Sequence, residues 1–154
     1  MIQSPAMIAT RDLYTKFIDG WNAMDARAIA ACLAPDALLI GFDGSRITGR
    51  VEIERNMAMI FADHQPHRFY PIERFVRMLA PTVGIYSGDI GCVPRGGHEL
   101  DERLNARQVL VAGQSEEGWR AHLLQSTPAA LHGQDQERLA LNEELRQTIA
   151  RATG

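Results

Sequence analysis

Polar side chains interrupt two apolar runs near the C-terminal end of the chain. Asn105 and Arg107 lie in LNARQVLVA (residues 104–112), and His122 and Ser126 lie in GWRAHLLQST (residues 118–127). On an extended strand residues two apart share a face, so Asn105 stands beside Arg107, and His122 shares its parity with Leu124 and Ser126. An amide can orient a ligand oxygen, and a guanidinium grips a carboxylate or an oxyanion. An imidazole that titrates near neutral pH can act as a general base. The set therefore reads as the polar part of a pocket wall. The residues allow other readings. Arg107 can pair with an acid at the core edge, such as Asp89 or Asp43, Asn105 can cap the loop before it, and His122 can be a hydrogen-bonded core histidine.

Other candidates are weaker. Asp43 precedes Gly44, and turn geometry alone explains an aspartate there. His64, His67 and His98 have no helical or hairpin ligand spacing, and Cys32 and Cys92 are far from them along the chain, so no metal is expected. There is no phosphate-binding loop and no Gly-x-Ser-x-Gly elbow, and no cofactor is expected.

The elements that must hold these residues follow from pattern. Ser4-Pro5 suits a helix start, and Ile8, Leu13, Phe17, Ile18 and Trp21 form one apolar face bordered by Tyr14. Asp25 is an N-cap for a short second helix that Pro35 ends. A strand over 37–42, the Asp43-Gly44 turn and a return strand over 46–48 precede a helix opened by Gly49, with Ile53, Met57, Ile60 and Phe61 on one face. Strands over 67–79 and 83–90 follow, then a Gly-rich charged loop, then the hairpin of 104–112 and 118–127. A weakly amphipathic helix over 135–152 carries Leu141, Leu145 and Ile149 in line. It must pack on its own sheet, on a second copy or at the pocket mouth, because alone it is marginal in water. Helices on one face of an antiparallel sheet make an α+β domain.

The bulk numbers exclude several classes. The 154 residues are 45% hydrophobic and 23% charged, with a formal charge of -3, which suits one folded domain. Of the 16 basic residues only Lys16 is a lysine, and the arginines are scattered, so neither nucleic acid nor a membrane is an expected partner. Two isolated cysteines do not make a disulfide framework and fit a cytoplasmic setting. The N-terminal stretch lacks a basic segment followed by an apolar run, so no signal peptide is expected.

Three strings carry a family resemblance: WNAMDARAIAACLAPDALLI (21–40), FDGSRITGR (42–50) and EEGWRAHLLQSTP (116–128). With the element order they resemble the NTF2-like superfamily, in its branch of small SnoaL-like domains. The resemblance implies a cone: three N-terminal helices packed on a curved antiparallel sheet. An NTF2-like domain is expected over 1–130 and a helical extension over 131–154. It also places the His122 set toward the pocket and the Trp119 set (Trp119, Ala121, Leu123, Gln125) toward the convex face, an order that a one-residue bulge would reverse. Ketosteroid isomerases share this architecture. Their tyrosine position falls at Phe17, their carboxylate base at Gly41 and their protonated aspartate at Asn105, so that chemistry is not expected here.

Two functions remain. The first is a small-molecule pocket protein for an apolar or ring-bearing ligand, as a binder or as an enzyme of isomerase, cyclase or hydrolase type. Its expected ligand-binding residues are Asn105, Arg107, His122, Ser126, Tyr14, Phe17 and Trp21, with His122 the candidate for catalysis. It requires that Asn105, Arg107 and His122 reach a cavity. The second is a non-catalytic homodimeric association module, pairing through the convex sheet face and expected to have a sealed interior.

Overall fold

The computed structural model describes residues 3–154. Helix α1 (Pro5–Asn22) starts where Ser4 Oγ accepts from Met7 N at 3.1 Å and Pro5 occupies the first turn. Helix α2 (Ala26–Ala31) is capped by Asp25, whose carboxylate accepts from Ala28 N at 3.0 Å. Strand β1 (Leu33–Ile40) begins earlier than the position of Pro35 suggests, and its pairing is irregular between Leu33 and Leu38. An irregular stretch is where a strand tolerates proline. Strand β2 (Arg46–Thr48) returns through the Asp43-Gly44 turn, in which Asp43 accepts from Ser45 N at 2.9 Å. Helix α3 (Arg50–Asp63) follows Gly49, whose φ of 96° only glycine adopts readily.

Strands β3 (Arg68–Ala80), β4 (Val83–Val93), β5 (Ala106–Ser115) and β6 (Gly118–Pro128) complete a six-stranded curved, unclosed sheet of order β2-β1-β6-β5-β4-β3. The sheet is mixed, because β1 runs parallel to β6 while every other pair is antiparallel. Helices α1–α3 cover the inner face. There Leu13, Tyr14, Phe17, Ile29, Ile53, Leu110 and Leu124 form the main core.

Helix α4 (Asp135–Thr153) lies on the other face of its own sheet. Leu141 and Leu145 pack with Ile72, Leu100 and Ala129, and Leu145 together with Leu100 fills the space above Gly91. Polar links fix the seam. Asp89, 1% exposed, is held by Arg74 at 2.8 Å and by Arg107 at 3.1 Å, and Arg74 also reaches Glu144 of α4 at 2.9 Å.

Two side chains tie the end of α1 to the sheet. Asn22 donates to Phe69 O at 2.9 Å and accepts from Phe69 N at 2.8 Å. Arg95 donates to Asn22 O and Trp21 O at the end of α1 and to Pro66 O, at 2.8–3.3 Å, so that one guanidinium joins the helix end to the segment before β3. Among the described residues no helix is long and apolar enough to cross a membrane.

Candidate functional site

A cavity of about 480 Å3 opens between the inner sheet face and the helices. Its aromatic wall comes from Phe17 and Trp21, four residues apart on α1, and from Phe69 of β3. Residues at that spacing share a helix face. Trp21 stacks on Phe69 with ring centres 4.5 Å apart, meets Phe61 edge-on at 5.5 Å, and donates its indole N–H to His67 O at 2.9 Å. Leu39, Met57, Ile90, Ala106 and Leu124 add to the apolar lining. Cys92 also lines it, with a thiol that burial pushes up to about 12, so it is no nucleophile near neutral pH.

The polar interior is a short chain of side chains. Tyr14, 2% exposed, stacks on Tyr86 at 3.8 Å and donates its hydroxyl to Gln108 Oε1 at 2.5 Å. Burial raises the Tyr14 pKa, so the phenol stays protonated. Gln108, 1% exposed, donates from Nε2 to Ser126 Oγ at 2.9 Å. These two residues face each other across the β5–β6 ladder, and both line the cavity.

The mouth is formed by Gly41, Phe42 and the segment His64 to His67. His67 Nε2 lies 3.3 Å from Asp101 Oδ2. The Asp101 carboxyl sits at about 2, held down first by the hydrogen bond from Arg103 and also by His67. Asp101 therefore stays ionised and orients the imidazole. Among the described residues no three His, Cys, Asp or Glu side chains converge as metal ligands.

The residues singled out from sequence divide between the two faces. Phe17, Trp21 and Ser126 line the cavity. Tyr14 lies behind the wall and acts through Gln108. Asn105 and Arg107 are on the outer face: Asn105 bonds to Asn142 of α4, and Arg107 pairs with Asp89. The pocket parity of β5 is instead Ala106, Gln108, Leu110 and Ala112, all buried.

His122 is corrected by a bulge. Val111 pairs with Leu123 but Ala112 pairs with Ala121, so His122 has no partner across the ladder. Its side chain, 42% exposed, turns outward beside Gly113 and lies 4.0 Å from Asp36. The bulge splits the expected faces. Leu124 and Ser126 point inward as the family register implies, while Trp119 and Ala121 join the core instead of the convex face. None of Asn105, Arg107 and His122 reaches the cavity, so the pocket reading fails in the form that required them, and any ligand role must rest on the groups that do line or border it: Gln108, Ser126 and His67. The signal for Gln108 is in the sequence, where it is the one polar residue among Leu104, Ala106, Leu110 and Ala112. Nothing local marks His67 and Asp101, which are 34 residues apart and meet only through the fold.

Comparison with known proteins bears on this architecture. A model of the SnoaL-like domain matches residues 10–130. A domain of unknown function with a cystatin-like fold from Nostoc punctiforme superposes with a TM-score of 0.78 at 23% identity, covering 99% of this chain and 97% of that one. A ketosteroid isomerase-like protein from Erwinia carotovora atroseptica gives 0.66 at 11% identity, covering 83% and 99%. A candidate calcium/calmodulin-dependent protein kinase type II association domain from Thiobacillus denitrificans gives 0.67 at 16% identity, covering 77% and 93%. A search of curated proteins returns no match. At these identities the structures speak for the fold alone. The matched span, the helices on a curved mixed sheet and the shared cystatin-like fold place the chain in the SnoaL-like domain family of the NTF2-like superfamily.

Proposed function

We propose that this protein binds a small apolar or ring-bearing molecule in the inner cavity. The observation that carries the reading is an open space of about 480 Å3 with three aromatic side chains in its wall and one polar pair, buried Gln108 and half-buried Ser126. Ligand pockets are commonly of this size and mix an apolar lining with a few placed polar groups. The catalytic form of the reading is an isomerase, cyclase or hydrolase type, without the ketosteroid isomerase groups, which are absent at Phe17, Gly41 and Asn105. Its acid–base group is then His67, held by Asp101 at the mouth. The buried thiols of Cys32 and Cys92 support a reducing, cytoplasmic setting.

The test is calorimetric titration with naphthalene as the probe, on the parent and on Ala106→Leu, which places a larger side chain in the cavity. Saturable one-to-one binding by the parent and at least about tenfold weaker binding by the variant are expected, the loss of a filled pocket. No saturable binding by the parent, or equal binding by both, overturns the reading.

A second copy of the chain is proposed as the protein partner. Helix α4 covers only part of the outer face. Ile85, Val111 and Leu123 form a half-buried apolar row across three strands beyond it. A two-fold interface needs such a self-complementary patch. Sedimentation at micromolar concentration should give a dimer, and Leu123→Asp a monomer. A monomeric parent sinks the proposal.

A further inference from the structure

The hydrogen bonds inside the cavity have a direction. The contact of 2.5 Å between Tyr14 Oη and Gln108 Oε1 falls in the O–H···O range and below the N–H···O range. The contact of 2.9 Å between Gln108 Nε2 and Ser126 Oγ fits N–H···O. Both distances agree with one assignment of the amide, its oxygen toward Tyr14 and its nitrogen toward Ser126. With the amide reversed, a nitrogen would sit at 2.5 Å from the phenol, and the Tyr14 hydroxyl would lose its bonded acceptor. Proton donation therefore runs from Tyr14 to Gln108 to Ser126.

Ser126 ends this chain. Its oxygen accepts from Gln108, and among the described residues its hydroxyl donates to no protein group. It lines the cavity beside Leu124 and Ala106. Hydrogen bonds in a chain polarise one another in the same sense, so the last hydroxyl is the strongest donor of the three toward a ligand. Gln108 offers the cavity little as an acceptor, because its oxygen is engaged by Tyr14.

We infer that Ser126 is the specificity-determining donor of the cavity, and that the ligand presents to it a carbonyl or similar acceptor oxygen attached to an apolar ring system. Tyr14 is a positioning residue, acting through Gln108. The inference rests on the cavity being a ligand site, and the experiment separates the two claims.

Three probes are titrated by calorimetry: 2-acetylnaphthalene, its near-isostere 2-isopropenylnaphthalene, in which C=CH2 replaces C=O, and the hydrocarbon naphthalene. The carbonyl stretch of bound 2-acetylnaphthalene is read by infrared difference spectroscopy. The ketone should bind about fivefold tighter than the alkene, the worth of one neutral hydrogen bond, and its stretch should fall below the value in hydrocarbon solvent. Ser126→Ala should remove both the preference and the shift while alkene affinity holds, and Ser126→Thr should restore them. Tyr14→Phe, which frees Gln108 to reverse and take the Ser126 proton, should diminish both. Equal affinities of ketone and alkene with an unshifted stretch overturn the inference and leave the pocket standing. An unchanged preference in Ser126→Ala does the same. If none of the three probes binds, the pocket reading falls and this inference with it.

Discussion

Asn105 and Asn142 face each other across the seam between β5 and α4, both buried, with Asn105 Nδ2 donating to Asn142 Oδ1 at 2.6 Å. The pair joins the sheet to the last helix from within. It leaves Asn105 Oδ1 and Asn142 Nδ2 without protein partners, so the seam holds as much unsatisfied polarity as it satisfies. Removing one amide strands the other, whereas replacing both removes the desolvation penalty. Asn105→Ala should therefore destabilise by about 2 kcal/mol. Asn105→Ala with Asn142→Leu should recover most of that loss. Urea unfolding midpoints check the order; a double variant weaker than the single one contradicts it.

The apolar grip of α4 on the sheet is centred on Leu145, which is fully buried against Gly91 and Leu100. Leu145→Ala should cost about 3 kcal/mol, as buried leucine truncations do. Amide exchange should quicken across α4 before it quickens in β4 and β5 if the helix can open by itself. Uniform exchange loss throughout the chain would show that helix and sheet unfold as one unit.

Asp101 gives a pH dependence with a definite sign. Its folded-state carboxyl lies near 2 against an ordinary value of 3.8. A depressed carboxyl contributes stability that is complete above its unfolded value and is lost as pH falls through the folded one. Asp101→Asn should thus be less stable than the parent at about pH 6, and the gap should close between about pH 4 and pH 2. Chemical denaturation at several pH values measures this. A gap that persists at about pH 2 would assign the loss to packing instead.

Gly84 sets the closest approach of α1 to the sheet. A Cβ there would lie 2.3 Å from Thr10 Oγ1, and Thr10 is fully buried. Gly84→Ala should cost about 1–3 kcal/mol through overpacking. Pairing it with Thr10→Ala, which removes the clashing hydroxyl, should return part of the loss. Melting temperatures of the two variants decide whether the contact is the cause.

The fold was legible because its signals are local and repeated. Ser4-Pro5, Asp25, Asp43-Gly44 and Gly49 each mark a boundary that the backbone places within a residue or two. The pairing of β1 with β6 in parallel was not legible, since alternation along a strand carries no direction for its neighbour. The site was legible on the helix, where the spacing of Phe17 and Trp21 fixes one face, and after the bulge, where Leu124 and Ser126 keep their parity. It was misread on β5, because polar residues drew attention to Asn105 and Arg107 while the pocket uses the parity of Ala106 and Gln108. It was misread at His122, because a single extra residue in a ladder leaves no mark in hydrophobic alternation.

Asn22 shows the same limit and carries a further consequence. Its amide bonds both backbone groups of Phe69 and so imitates one residue of a neighbouring strand. Strand β3 is one of the two edge strands of the sheet and 13 residues long, a length onto which a foreign strand can add. Phe69 is closed by that amide. Pro71, two residues on and of the same outward parity, has no N–H to offer. The register breaks again around Arg74. The edge is thus protected against fibrillar growth at three successive points, and a residue that ends a helix in sequence serves as a guard of solubility in space.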